Sequence, residues 1–208
     1  MWISLAAAFL TAYFLGNLNG AITVSTLLDK EDVRSRGSGN AGMTNYLRSY
    51  GLKKTGLVIC IDLGKALLSC LVGYLLLKPY DLGLLGGMVA GLGVSLGHDF
   101  PVALGFRGGK GILSGLGVAI AMDWRVALII LTVFLIFVAA SRYVSLGSVM
   151  AALALPISFM LLHRGDVPVI LLAWAMGLAA LFQHRGNIKR LLSGTERKLS
   201  FGKKGEQK

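Results

Sequence analysis

Residues 82–122 read LGLLGGMVAGLGVSLG (Leu82–Gly97), HDFPVALGFRGGK (His98–Lys110) and GILSGLGVAIAM (Gly111–Met122). An apolar block runs into a glycine-rich basic turn, and a second, shorter apolar block follows. Both blocks are apolar all round, whereas a soluble protein's core-facing helix carries an apolar stripe. A helix needs about 20 apolar residues to cross a bilayer. The fold class is therefore an all-α polytopic membrane protein, and the count of its spans turns on Gly111–Met122, which is short for a crossing.

Working outward, the chain offers seven candidate transmembrane helices: Ile3–Leu27, Leu52–Leu77, Leu82–Gly97, Gly111–Met122, Trp124–Ala140, Leu146–Leu162 and Val167–Phe182. The rival topology has five spans, with Gly111–Met122 and its follower forming a bent, re-entrant hairpin. Composition agrees with a membrane protein: 55% of the 208 residues are hydrophobic and 15% charged, against roughly a quarter charged in soluble domains. The first residues lack the basic n-region of a secretory signal and are expected to form a span.

Basic residues orient the chain. With seven spans, only Lys78, Arg125 and Arg164 fall outside and Lys65 falls within a span; the rest of the 21 Lys and Arg face inside. The expected topology is N-out and C-in. The tail after Gly194 reads as basic and mobile. Its charges account for much of the net +11 through attraction to anionic headgroups of membrane lipid, with no nucleic acid needed. Cys60 and Cys70 lie ten residues apart in one span, about 15 Å along a helix, beyond the roughly 7 Å limit for a disulfide. They read as apolar fillers, and no metal-ligand spacing is present. Glycines within spans, such as Gly86, Gly87, Gly91, Gly93 and Gly97, read as close helix-packing positions.

Three basic, glycine-rich segments fall on the same side. The first, Arg36–Arg48, offers neutral donors at Ser38, Asn40, Thr44 and Asn45 and a guanidinium at Arg48; a helix starting near Asn45 adds backbone N–H groups. The second, Gly97–Gly111, holds the Gly108-Gly109-Lys110-Gly111 turn ahead of an apolar helix. Backbone N–H groups around a lysine suit a phosphate, although Ile112 follows Gly111 where a nucleotide P-loop requires a hydroxyl. The third, Gln183–Glu196, carries His184 and Asn187 three apart, on one face of a continuing helix. His98 also sits at a span end. Asp62 and Lys65, three apart within a span, read as a mutual ion pair facing the bundle interior.

Taken together, the segments resemble the bacterial acyl-phosphate:glycerol-3-phosphate acyltransferase family (PlsY) over nearly the whole chain. The resemblance is carried by Ser38-Gly39-Asn40, Met43-Thr44-Asn45 and Arg48; by Gly97-His98 and Gly108 to Gly111; and by His184 to Ile188 with Gly194-Thr195-Glu196. Gly37 stands where proline is usual, Met43 where alanine is, Ala103 where a bulky residue is common, Arg107 where lysine is, and Ala66 where glycine is. None of these removes an expected polar contact.

The resemblance implies that residues 1–208 form a single integral membrane acyltransferase domain. It would transfer a fatty acyl group from acyl phosphate to glycerol 3-phosphate, giving lysophosphatidic acid for phospholipid biosynthesis, with no cofactor and no metal. The expected location is the bacterial cytoplasmic (inner) membrane, with the site facing the cytoplasm. Ser38, Lys110, His184 and Asn187 are the expected catalytic residues. Gly39, Asn40, Thr44, Asn45, Arg48, His98, Gly108, Gly109, Gly111 and Ser148 are expected to bind substrate. The base is open among His184, His98 and a substrate phosphate. A transporter of phosphorylated metabolites is the alternative function, and a non-catalytic membrane scaffold a further one.

Overall fold

The structure, a computed structural model, describes residues 1–199, and every regular element among them is helical. The chain opens with α1 (Trp2–Gly16), resumes after a break as α2 (Gly20–Val24), and ends this stretch in one wide turn, Ser25–Asp29. The unbroken span expected over Ile3–Leu27 is thus corrected. Two asparagines compete with the backbone: Asn17 Nδ2 donates to Tyr13 O at 2.7 Å, and Asn19 Oδ1 caps α2 by accepting from Ile22 N at 3.0 Å. Asn19 Nδ2 reaches across to Ala41 O at 2.9 Å.

A short amphipathic helix, α3 (Met43–Tyr50), buries Asn45 and Tyr46. Six further apolar helices follow: α4 (Leu52–Leu77), α5 (Gly83–Asp99), α6 (Ile112–Met122), α7 (Trp124–Ser141), α8 (Val144–Leu162) and α9 (Val167–Gln183). Five stretches are long and apolar enough to cross a membrane: Trp2–Asp29, Leu52–Tyr80, Gly83–Leu104, Trp124–Ser141 and Val144–Leu162. The pair α9 and α10 (Arg185–Leu192), bent by 57°, makes a sixth if counted as one span. The expected seventh, α6, has only 11 residues. It reaches about 16 Å against a hydrocarbon core of about 30 Å. It joins α7 through a single residue, Asp123, whose Oδ1 accepts from Arg125 N at 2.9 Å.

Close approach of α1 to α5 rests on missing side chains. A Cβ on Gly97 would stand 2.0 Å from Tyr13 O, and one on Gly16 would stand 2.5 Å from Val94 O. These bear out the packing role read for the span glycines. A central apolar cluster including Cys70, Met88, Val94, Val118, Phe159 and Met176 fills the bundle.

The interhelical loops sort to two ends. At one, His163 Nε2 and Asp123 Oδ2 meet at 2.8 Å. At the other, Arg34 donates to Leu104 O and Arg107 O, both at 3.2 Å, and Leu199 N donates to Arg142 O at 2.7 Å. The tail expected to be mobile from Gly194 is therefore folded back as far as Leu199. Glu196 anchors it by accepting from Arg190 Nε at 2.8 Å. The rest of that tail, with Lys203, Lys204 and Lys208, lies outside the described residues.

Gly97→Val should lower the thermal midpoint of the detergent-solubilised protein by several degrees, because overpacking costs about 1–3 kcal/mol. Thermal unfolding followed by tryptophan fluorescence checks this; an unchanged midpoint contradicts the close approach.

Candidate active site

The site is built upward from a buried ionic cluster. Asp62 lies ten residues into α4, about 15 Å from its start. Lys65, one turn further on, is 4% exposed. Its Nζ stands 2.9 Å from Asp62 Oδ1, so the expected ion pair is present. The ammonium also reaches Leu18 O at 2.6 Å and Gly16 O at 3.2 Å, carbonyls beside the break between α1 and α2, and His98 Nδ1 at 2.8 Å. Asp62 Oδ1 further accepts from Gly20 N at 3.1 Å.

The basic turn rests on His98. Gly109 N donates to His98 O at 3.0 Å, and Gly108 N to Asp99 O at 3.3 Å. A Cβ on Gly109 would lie 2.1 Å from His98 Nε2, and one on Gly108 2.0 Å from His98 O. Only glycine lets the turn settle this closely. Gln183 Nε2, from the end of α9, clamps it by donating to Asp99 O at 3.1 Å and Gly109 O at 3.3 Å. Lys110 then extends over the turn, and its Nζ donates to Asn187 Oδ1.

The other two segments close around it. Asn45 Oδ1 accepts from Ser38 N at 2.9 Å, while its Nδ2 faces Val33 O, Arg36 O and Asn40 O at 3.0–3.1 Å. This fixes the loop that presents Ser38 and Asn40. The helix expected near Asn45 begins at Met43. On α10, Asn187 Nδ2 donates to Glu196 Oε1 at 3.1 Å. At the turn into α10, His184 Nδ1 lies 2.8 Å from Ala180 O. That carbonyl can only accept, so Nδ1 carries the proton and Nε2 the lone pair.

One cavity of about 580 Å³ joins these groups. Its walls include Ser38, Asn40, Thr44, Arg48, His98, Lys110, Gly111, Ser148, His184 and Asn187. Gly39, Asn45, Gly108 and Gly109 do not reach it: they shape the loops from behind. Its other end is an apolar trough between α6, α7 and α8, with Ile112, Leu116, Ile130, Phe134 and Ala151 among its residues. Glu196 and Arg190 also line the cavity and were not among the expected site residues. The signal for Glu196 was present in Gly194-Thr195-Glu196, which carried the resemblance without a role of its own. Among the described residues, no three His, Cys, Asp or Glu side chains converge as metal ligands.

Burial pulls the Lys110 ammonium down to about 8, helped by the positive charges of Arg190 and Arg48 and opposed by Glu196. The lysine is charged below that pH and loses its proton above it.

The fold and cavity together define a polytopic membrane protein with a cationic pocket that opens into an apolar trough. The sequence profile described as Glycerol-3-phosphate acyltransferase matches residues 6–194. The glycerol-3-phosphate acyltransferase of Finegoldia magna is 42% identical over 190 residues, covering 91% of this chain and 93% of the relative. That of Thermoanaerobacter pseudethanolicus is 39% identical over 200 residues, covering 95% and 96%. The crystal structure of PlsY (YgiH), an integral membrane glycerol 3-phosphate acyltransferase, superimposes in its glycerol 3-phosphate form with a TM-score of 0.85. It shares 34% identity over 95% of this chain and 96% of that one. Its lysophosphatidic acid form gives 0.82 at 33% identity. The chain belongs to the glycerol-3-phosphate acyltransferase family.

KM for glycerol 3-phosphate should rise as pH increases through about 8, since the unliganded Lys110 then loses its charge. Initial rates across the pH range, with Lys110→Ala alongside, check this. The variant should lose at least about tenfold in kcat/KM, because a charged hydrogen bond is worth about 1.5–3 kcal/mol. Wild-type turnover in Lys110→Ala removes the assignment.

Proposed function

We propose that this protein transfers a fatty acyl group from acyl phosphate to the first hydroxyl of glycerol 3-phosphate, giving lysophosphatidic acid and inorganic phosphate. The observation that carries the reading is the single cavity with a cationic mouth and an apolar trough. The two ends match the two halves of an acyl phosphate, and the mouth has cations enough for a second phosphate.

Acyl phosphate is a mixed anhydride with a good leaving group, so direct attack by the glycerol hydroxyl suffices. The new ester C–O bond forms as the acyl C–O bond to phosphate breaks, and the hydroxyl proton ends on the released phosphate. Neither cysteine lines the cavity. Lys110 and the N–H groups of its turn bind phosphate. Ser38, Arg48 and Asn187 hold glycerol 3-phosphate, with Gly39 and Asn45 shaping the loop that presents Ser38 and Asn40. Thr44 and Ser148 face the acyl donor. Orientation of this kind can lower a barrier by roughly 7–11 kcal/mol.

Two acceptors for the hydroxyl proton are at hand: the lone pair on His184 Nε2 and a phosphate of the substrates themselves. The histidine is the better placed for the first transfer, since its tautomer is already set by Ala180 O. The mouth is assigned to the cytoplasmic side of the bacterial inner membrane, because Arg48, Arg190 and Arg197 line it and the loops carrying Arg34, Arg107 and Arg142 lie at the same end of the bundle. The trough takes the acyl chain from the lipid. Transport is disfavoured by the position of these charges at one end of the bundle, whereas carriers place substrate sites near the midplane.

Purified protein mixed with acyl phosphate and glycerol 3-phosphate should yield lysophosphatidic acid; substrate uptake into proteoliposomes without product would instead support the transporter. His184→Ala should lower kcat by about 10²–10⁴, the range of a general base, while glycerol 3-phosphate still binds. A change confined to KM assigns the proton to a substrate phosphate.

A further inference from the structure

We propose that His98 is a fixed hydrogen-bond donor beneath the Lys110 turn, and that Lys65 is the positioning residue that makes it one. An ammonium has three donors and no acceptor. Lys65 Nζ stands 2.8 Å from His98 Nδ1, so Nδ1 presents its lone pair. A neutral imidazole carries one proton, which therefore sits on Nε2.

The one competing acceptor for an Nδ1 proton is Asp62. Asp62 Oδ1 is 3.5 Å away, long for a hydrogen bond, and already accepts from Lys65 and Gly20. The carbonyls of Gly16 and Leu18 on the α1 side face Lys65. On α5, Asp99 is the neighbour in sequence and its backbone carbonyl serves the turn. The ammonium has no exit: Asp62, Lys65 and His98 are all buried.

The opposite ring nitrogen lies against Gly109, and His98 belongs to the cavity wall. Nε2–H thus adds a neutral donor to the phosphate-binding turn, one that stays a donor as Lys110 loses its charge. A protonated Nε2 cannot also accept the substrate's proton, so His98 drops out of the open choice of base. What the donor meets depends on the acyl-transfer reading above; the tautomer itself does not.

Solid-state NMR of protein with ring-¹⁵N histidine, reconstituted in lipid, reads the tautomer directly. The His98 signals are those missing from His98→Gln. Nδ1 should be unprotonated and Nε2 protonated between about pH 6 and about pH 9, a range spanning the usual histidine value near 6.5. Lys65→Met should release this constraint. A protonated Nδ1, or a doubly protonated ring, in the native protein overturns the proposal without any turnover being needed. In kinetics, His98→Gln keeps an N–H near the Nε2 position and should retain about tenfold more kcat/KM than His98→Phe, a decade corresponding to about 1.36 kcal/mol. Equal losses in the two variants, with equal folding, count against the donor role.

Discussion

A lysine buried among membrane helices needs partners, because an uncompensated charge there is expensive. Lys65 finds four, on three different parts of the chain. Its demand explains features that are otherwise unrelated. The first span is broken at Asn17–Asn19, and carbonyls beside that break face the ammonium. Asp62 stands one turn before Lys65 and also receives Gly20 N from the new helix. His98 closes the set at the end of α5. The cluster binds α1, α2, α4 and α5 at one level of the bundle, and the Lys110 turn is seated on that level.

Small residues let the same architecture be tight. Gly16 and Gly97 bring α1 against α5, so that the break and His98 can both meet Lys65. Gly108 and Gly109 bring the turn onto His98. Gln183 holds the turn from α9, which also delivers His184 and the start of α10. Lys110 and Asn187, 77 residues apart in sequence, are joined through this stack.

Much of this was legible in the sequence. The apolar blocks marked the helices, and α4 matches its expected limits of Leu52–Leu77. The three basic glycine-rich segments marked the loops that meet, and Ser38, Lys110 and His184 line one cavity. What stayed hidden depends on side chains turning toward distant backbone. Asn45 looks like a substrate donor in a list of polar residues, yet its amide faces its own loop. The break in the first span hides behind an apolar average that two asparagines barely lower. Glu196 counts as one acid among many bases until the chain folds back to Asn187 and Arg190. The Asp62–Lys65 spacing announced a pair, but its reach to His98 links residues 33 apart in sequence.

The depth of the turn has a chemical consequence. Because Gly109 sits on His98, level with the charges a few turns into α4, the reacting carbonyl would be handled in a recess and not at the open headgroup surface. A mixed anhydride in bulk water is steadily consumed by solvent. Walled by Thr195, Glu196 and Arg197 of the folded-back tail and by Ser38 and Asn40 of the loop before α3, it would meet fewer competing nucleophiles. Preference for the alcohol over hydrolysis would then follow from where the bundle keeps its buried charge.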